Sequence, residues 1–354
     1  MNTAVLLSGG VDSSVALYRL LEEGRKDVTA YYLKIWLEDE LSGLGDCPWD
    51  EDLGYARAVC DAAGVPLKVI SLQTEYYERV VEYALSELRA GHTPSPDIFC
   101  NQRVKFGAFF DKVGEDVDRV ASGHYGVVDR SGGPARLLRS PDPVKDQTYF
   151  LSHLSQRQVA QIEFPIGGLY KKQVRELAQR YQLANQSRPD SQGICFLGKI
   201  KYNDFVKHYL GEKTGAIVER ETGRRLGEHH GYWFHTIGQR SGLGLGNGPW
   251  FVVGKDVDAN TVFVSHQEHR QEQMRDTFTA GELTWIHREP REGEPLTCKL
   301  RHGPELIPCA VAPAGQGRLS VRLASGDAGI APGQFSVFYS GDECLGAGMI
   351  LAVA

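Results

Sequence analysis

Apolar and polar positions follow two different rhythms along this chain. In the first part, short apolar runs alternate with stretches whose apolar residues recur every three to four positions. Residues 4–7 (AVLL) form such a run, and 13–24 carry helical spacing that stops at Gly24. Residues 28–36 are rich in aromatic and β-branched side chains and predict a strand, followed by a helix over 52–63 that Gly64 ends. A strand over 66–72 precedes a long amphipathic helix over 74–90, with Thr74 as its cap and Gly91 beyond its end. A helix over 103–113 and a strand over 119–122 complete the series. Strands separated by helices predict an α/β fold with a doubly wound parallel sheet.

From about Thr277 the rhythm changes. Runs at 277–286, 296–301, 307–311, 319–323 and 335–339 are separated by Gly, Pro and Asp turns, the spacing of a small antiparallel barrel or sandwich. Between the two lies a basic, glycine-rich, β-looking stretch containing GQRSGLGLGNGPW. Three domains are therefore expected, over 1–200, 201–275 and 276–354, which suits a chain of 354 residues.

Bulk properties narrow the class. No apolar run approaches the roughly 20 residues of a membrane span, and neither a basic n-region nor an Arg-rich transit segment opens the sequence. A cytoplasmic location is expected. The net charge of −6 argues against coating nucleic acid by bulk electrostatics, but it is unevenly spread. Residues 1–120 hold 12 Lys/Arg against 21 Asp/Glu, whereas 121–354 hold 27 against 24. A polyanionic partner is thus permitted over the second part. Seven cysteines, at 47, 60, 100, 195, 298, 309 and 344, include no C-x-x-C pair, so a zinc ribbon or thioredoxin motif is unsupported.

Chemistry enters at SGGVDSS. Ser8-Gly9-Gly10-Val11-Asp12-Ser13-Ser14 lies between the first strand and the first helix. That placement turns backbone N–H groups and a helix N-terminus toward one point, an arrangement suited to phosphate. Asp12 would repel a bare phosphate, which points to a bridging Mg²⁺. The Walker lysine and the dinucleotide fingerprint are both absent here. The loop resembles that of the ATP pyrophosphatase (PP-loop) group, whose Rossmann-like domain cleaves ATP between the α and β phosphates. That group includes small-molecule ligases as well as tRNA-modifying enzymes, and the loop alone does not choose between them.

Two cysteines lie in loops of unusual make-up, Cys100 in GHTPSPDIFCNQRVKF and Cys195 in RPDSQGICFLG. A thiol just before a helix, with Arg103 and Lys105 near, is placed for a lowered pKa. Cys60, Cys298 and Cys309 fall on apolar faces and read as buried and inert.

SGGVDSS, TPSPDIFCN and DSQGICFLG, with ASGHY, KDQTYFL, GQRSGLGLG, CKLRHG and PGQFSVFY following the same order, resemble the tRNA-specific 2-thiouridylases. The resemblance covers essentially the whole chain. It implies a sulfurtransferase that uses ATP to adenylate carbon 2 of the wobble uridine and then inserts sulfur from a cysteine persulfide, giving 2-thiouridine. ATP and Mg²⁺ would be held by Leu6, Leu7, Ser8, Gly9, Gly10, Val11, Asp12 and Ser13, with Leu33 and Gly123 on the adenosine side and Asp12 on the metal. Cys195 would carry the persulfide and Cys100 would be the partner nucleophile. Ser95, Pro96 and Asp97 would meet the target base, with Ser95 where the family pattern carries Asn. His124, Lys145, Asp146, Gln147, Arg301, His302 and Gln334 would touch tRNA. The implied partners are wobble-uridine tRNAs accepting Lys, Glu and Gln, and a sulfur-carrier protein or cysteine desulfurase.

The residue types suit that chemistry. A uracil oxygen leaves poorly, and adenylation converts it to AMP. Attack of the Cys100 thiol on a Cys195 persulfide would release hydrosulfide and leave a Cys100–Cys195 disulfide. Alternatively, the persulfide attacks directly while Cys100 moves protons. Either route uses two thiols.

Overall fold

The computed structural model describes residues 1–35, 49–190 and 200–353. Cys47 and Cys195 lie outside the described residues.

Strands β1 (Thr3–Leu6), β2 (Val28–Lys34), β3 (Leu67–Ser71), β4 (Arg119–Ser122) and a short fifth strand, Ile162–Glu163, form one sheet. Its order is β3-β2-β1-β4 and then Ile162–Glu163, every neighbouring pair being parallel. Helix α1 (Val11–Glu22) follows β1, and α2 (Trp49–Ala63) precedes β3. All four β1 side chains are buried, as expected of a strand covered on both faces. The sheet is therefore the doubly wound one that the alternating pattern predicts, and β1, at its centre, delivers the SGGVDSS loop to the carboxyl edge.

Two departures from the predicted elements bear on the site. The long helix is interrupted by a π-turn at Tyr77–Val81 between Gln73–Tyr76 and Glu82–Arg89. The helix predicted over 103–113 starts earlier, because Pro96 occupies its first position behind Ser95 and the helical run passes through Pro96–Phe99 and Cys100–Ala108 to Phe109–Val113. Proline suits a first helical turn, where its missing N–H costs nothing. Cys100 thus sits one turn inside the helix rather than just before it.

In the second part, Gly215–Glu219, Arg225–His229, Trp250–Asp256 and Thr261–His266 make a four-stranded sheet. The last six strands, Arg275–Trp285, Leu296–Lys299, Ile307–Pro313, Leu319–Asp327, Phe335–Ser340 and Glu343–Val353, close into an antiparallel barrel, with Arg275–Trp285 pairing Glu343–Val353 at the seam. The closing strand escapes the turn-spacing pattern because it carries Gly346 and Gly348. Gly346 is there for contact: a Cβ would lie 2.0 Å from the Thr284 carbonyl oxygen across the seam. A hairpin, Val127–Asp129 with Arg136–Leu138, also escapes the pattern, and it adds to the outer side of that last strand.

The barrel docks on the helix that carries Cys100. Phe99 and Cys100 share one buried cluster with Tyr149, Phe335, Val337 and Tyr339. Thr93 N–H donates to the Pro332 carbonyl at 2.8 Å, and the Tyr149 hydroxyl donates to the Phe335 carbonyl at 3.2 Å. Beneath them the Lys299 ammonium meets the Asp146 carboxylate at 2.7 Å, both side chains fully buried.

Candidate active site

The loop after β1 is held open by its own hydroxyls. Ser8 N–H donates to Ser13 Oγ at 3.2 Å, while the Ser13 and Ser14 hydroxyls donate to the Gly10 carbonyl at 3.1 and 3.0 Å. Gly10 caps α1 without any side-chain hydrogen bond, so the first turn keeps N–H groups to offer an anion. The side chains of Leu6, Leu7 and Val11 are buried in the core, so these three present backbone only. Leu33 stands near the carboxyl end of β2, paired with Ile70 of β3.

Two glycines make the concavity. Gly9 has φ of +75°, and a Cβ there would lie 2.2 Å from the Asp52 carbonyl oxygen. At Gly123, just past β4, a Cβ would lie 2.6 Å from Ser13 N and 2.7 Å from the Asp12 carbonyl carbon. Gly123→Ala is therefore expected to push the loop off β4. It should weaken ATP binding at least tenfold and cost about 1–3 kcal/mol of stability, the usual range for overpacking; calorimetric titration and denaturant melts read the two effects.

Segment 185–190 buttresses the loop from the other side. Asn185 Nδ2 donates to the Gly9 carbonyl at 2.8 Å and to Ser14 Oγ at 2.9 Å, and Arg188 Nη1 donates to the same carbonyl at 3.2 Å. Arg188 also pairs with Asp52. Asp12 Oδ1 accepts from Lys171 Nζ at 2.7 Å and from the Tyr125 hydroxyl at 3.0 Å. Lys171 contacts Asp190 Oδ1 at 2.7 Å, and Lys145 contacts Asp190 Oδ2 at 2.6 Å. Burial alone would raise the Asp190 pKa, but hydrogen bonds from Lys145 and Lys171 hold it well below the usual carboxylate range. None of Lys171, Asn185, Arg188 and Tyr125 was singled out by the sequence pattern. Their only signal was position, Tyr125 closing ASGHY and Arg188 opening RPDSQGICFLG.

A Mg²⁺ fits on limited terms. Among the described residues no group of three or more His, Cys, Asp or Glu could hold a metal ion, so Asp12 would give one carboxylate to an ion arriving with the phosphates. The nucleotide fits better, since bare glycine backbone and an uncapped helix start line the cradle.

The second half of the site is the Cys100 helix. Pro96, Ile98, Phe99 and Cys100 are buried, and the Arg103 guanidinium lies 3.6 Å from the Phe99 ring centroid. Asn101 Nδ2 ties the helix to the Asp97 carbonyl at 3.0 Å and to the Phe150 carbonyl at 3.2 Å. Phe150 in turn stacks on His302 with centroids 4.7 Å apart. Burial lowers the His302 pKa; the Lys299 and Lys145 charges reinforce this, while Asp146 and Asp97 oppose it.

The remaining expected RNA contacts divide by exposure. Arg301 is about half exposed and pairs with Asp327. Lys145 is partly exposed beside Asp190. Gln147 is turned inward, with its N–H donating to the Tyr125 carbonyl at 2.8 Å and its Oε1 accepting from Tyr125 N–H at 3.0 Å. His124 bonds Ser122 Oγ through Nδ1 at 2.8 Å between the Phe106 and Phe164 rings, and burial holds its imidazole neutral, well below the ordinary pKa. The Gln334 side-chain oxygen is buried. Asp146 needs correction as a surface contact. Its carboxylate is wholly buried, bonded to Lys299, Ser140 N–H and the Thr148 hydroxyl, so it shapes the turn instead of reaching outward.

Among the cysteines expected to be inert, Cys60 is buried, and burial pushes its thiol up to about 11. Cys298 is buried beside Cys309; their mutual hydrogen bond raises the first and lowers the second. No described helix is long and apolar enough to cross a membrane.

Known protein families match the chain over three stretches. Residues 1–199 match a family described as a tRNA methyl transferase HUP domain, 203–266 a tRNA methyl transferase PRC-barrel domain, and 275–350 an aminomethyltransferase beta-barrel domain. The chain is 46% identical to "tRNA-specific 2-thiouridylase MnmA 2" of Bacteroides fragilis (strain YCH46), covering 99% of this chain and 100% of that one. It is 45% identical to "tRNA-specific 2-thiouridylase MnmA 1" of Bacteroides thetaiotaomicron and to "tRNA-specific 2-thiouridylase MnmA" of Porphyromonas gingivalis (strain ATCC 33277), covering 99% of each chain in both cases. With similarity of this strength from end to end, the chain belongs to the tRNA-specific 2-thiouridylase family.

Proposed function

We propose that this chain is a tRNA-uridine 2-sulfurtransferase acting on the wobble uridine. The observation that carries the reading is the joining of a phosphate cradle to the helix of a buried thiol. Gln147 fastens the Lys145 turn to Tyr125, beside the cradle, and the same turn leads into Phe150, whose carbonyl holds Asn101 next to Cys100. Bound with Mg²⁺, ATP supplies the adenylyl group that turns the carbon-2 oxygen into a leaving group.

The chain's own residues then have distinct tasks. The Gly9–Ser13 backbone and hydroxyls receive the phosphates. Ser95, Pro96 and Asp97, at the head of the Cys100 helix, meet the target base. Cys195 carries the incoming sulfur as a persulfide. In the sequence it stands five residues beyond Asp190. Cys100 is the second thiol. When its thiolate attacks the Cys195 sulfur, the S–S bond of the persulfide breaks, hydrosulfide leaves, and a Cys100–Cys195 disulfide remains for a cellular thiol to reduce. Lys145, Arg301 and His302 are the residues that would meet the tRNA. The proposed units are 1–200 for chemistry, with 201–275 and 276–354 gripping tRNA; the sulfur donor is a sulfur-carrier protein or cysteine desulfurase, and the tRNAs are those accepting Lys, Glu and Gln.

The direct test incubates the purified chain with unmodified tRNA, ATP, Mg²⁺ and a persulfide donor, then measures tRNA nucleosides by mass spectrometry. The expected result is 2-thiouridine that depends on ATP and on a wobble uridine. Thiolation without ATP, or ATP cleavage with no sulfur incorporated, would count against the reading.

A further inference from the structure

The stretch from Ser8 to Ser14 contains neither lysine nor arginine, yet a triphosphate brings up to about four negative charges to a loop that already holds Asp12. A cation waits beside it. Lys171 opens the ten-residue helix Lys171–Arg180, and its ammonium donates to Asp12 and Asp190 at 2.7 Å each. Its side chain is only 15% exposed, so it is placed by its partners rather than by solvent. Two of its three donors are used on these carboxylates.

The two carboxylates differ in what else holds them. Asp190 is also bonded by Lys145 and Arg175, so it keeps cationic partners if Lys171 turns away. Asp12 has no other cation among the described residues, only the Tyr125 hydroxyl. A Mg²⁺ taken up by Asp12 would displace exactly one ammonium contact, that of Lys171, and leave Asp190 satisfied. The Tyr170–Lys171 backbone is itself fixed, since Lys171 N–H donates to Asp142 Oδ2 at 2.9 Å. The reach of the ammonium is thereby set from a rigid base.

We propose that Lys171 is the triphosphate-binding cation of this site, held ready between Asp12 and Asp190 and turning from Asp12 to phosphate oxygens when the nucleotide binds. It supplies from a distant helix the positive charge that the glycine loop lacks. The proposal rests on the reading of that loop as an ATP site, and its test separates the two.

The full-length protein, its Lys171→Met and Lys171→Arg variants, and a Lys172→Met variant are titrated calorimetrically with Mg²⁺–ATP and, separately, with AMP. Lys171→Met should lose at least tenfold in ATP affinity while AMP affinity stays within twofold, and Lys171→Arg should recover part of the loss. Lys172→Met, at an exposed lysine of the same helix that pairs with Glu176, should keep ATP affinity within twofold. Unchanged ATP affinity in a Lys171→Met variant with wild-type melting temperature would overturn the proposal. Equal losses of ATP and AMP would also overturn it, making Lys171 a prop of the loop. Failure of the wild-type protein to bind ATP would instead remove the underlying reading of the loop.

Discussion

Cys100→Ser is expected to lower 2-thiouridine formation by about three orders of magnitude or more, as loss of a nucleophile does when two groups act as a unit. Binding of ATP and of tRNA should stay within about twofold. Serine nearly matches cysteine in size, but its hydroxyl is far too weakly acidic to attack a persulfide at neutral pH. The site is buried, so a new hydroxyl there costs about 1–3 kcal/mol if it finds no partner, and a melting curve must accompany the assay. Cys195→Ser should give the same loss. Cys60→Ser is the control: that thiol lies under the sheet among Leu53, Ala56 and Val59, and its replacement should leave thiolation unchanged. Thiolation at the wild-type rate in Cys100→Ser would eliminate the two-thiol mechanism.

Lys299→Met should destabilise the fold by up to about 3–5 kcal/mol, the usual effect of breaking a buried ion pair, with Arg139 Nε, 3.7 Å from Asp146 Oδ2, as the one cation left to that carboxylate among the described residues. Lys299 and Asp146 are both fully buried, 153 positions apart, and they join the barrel to the turn that holds Lys145 and Gln147. Asp146 also bonds the Ser140 and Thr148 N–H groups, so losing its nearest cation would strain that turn as well. Pairing Lys299→Met with Asp146→Asn removes both charges and should recover much of the loss, because the desolvation cost disappears with the attraction. Equilibrium denaturation of the two single variants and the double variant reads this directly. Strictly additive losses would mean that the two groups do not act as a pair. A weakened latch should also raise the KM for tRNA, since the Lys145 turn would no longer be held against the barrel.

Much of the site was written in local sequence. The parallel sheet follows from apolar runs alternating with helical spacing, and SGGVDSS between β1 and α1 marks a candidate phosphate loop because backbone N–H groups and glycines act where they stand. The order of motifs along the chain likewise carries the family resemblance. Boundaries were less legible. Pro96 was read as a loop residue, yet it starts the helix that carries Cys100, since one residue type serves both roles. Glu343–Val353 was missed because its glycines, which look like turn signals, are there to let strands approach at the barrel seam.

What the sequence by itself determined was therefore the class of fold, a candidate phosphate loop, the candidate thiols and the family. Only the tertiary structure decided which charges face one another. Lys171 meets Asp12 across 159 positions, and Asp146, read as an RNA contact, is buried against Lys299. Periodicity and turn chemistry act over a few residues and leave a trace in the sequence. An ion pair depends on where distant segments come to rest, and the solvent that decides its strength is excluded only once the whole chain has folded.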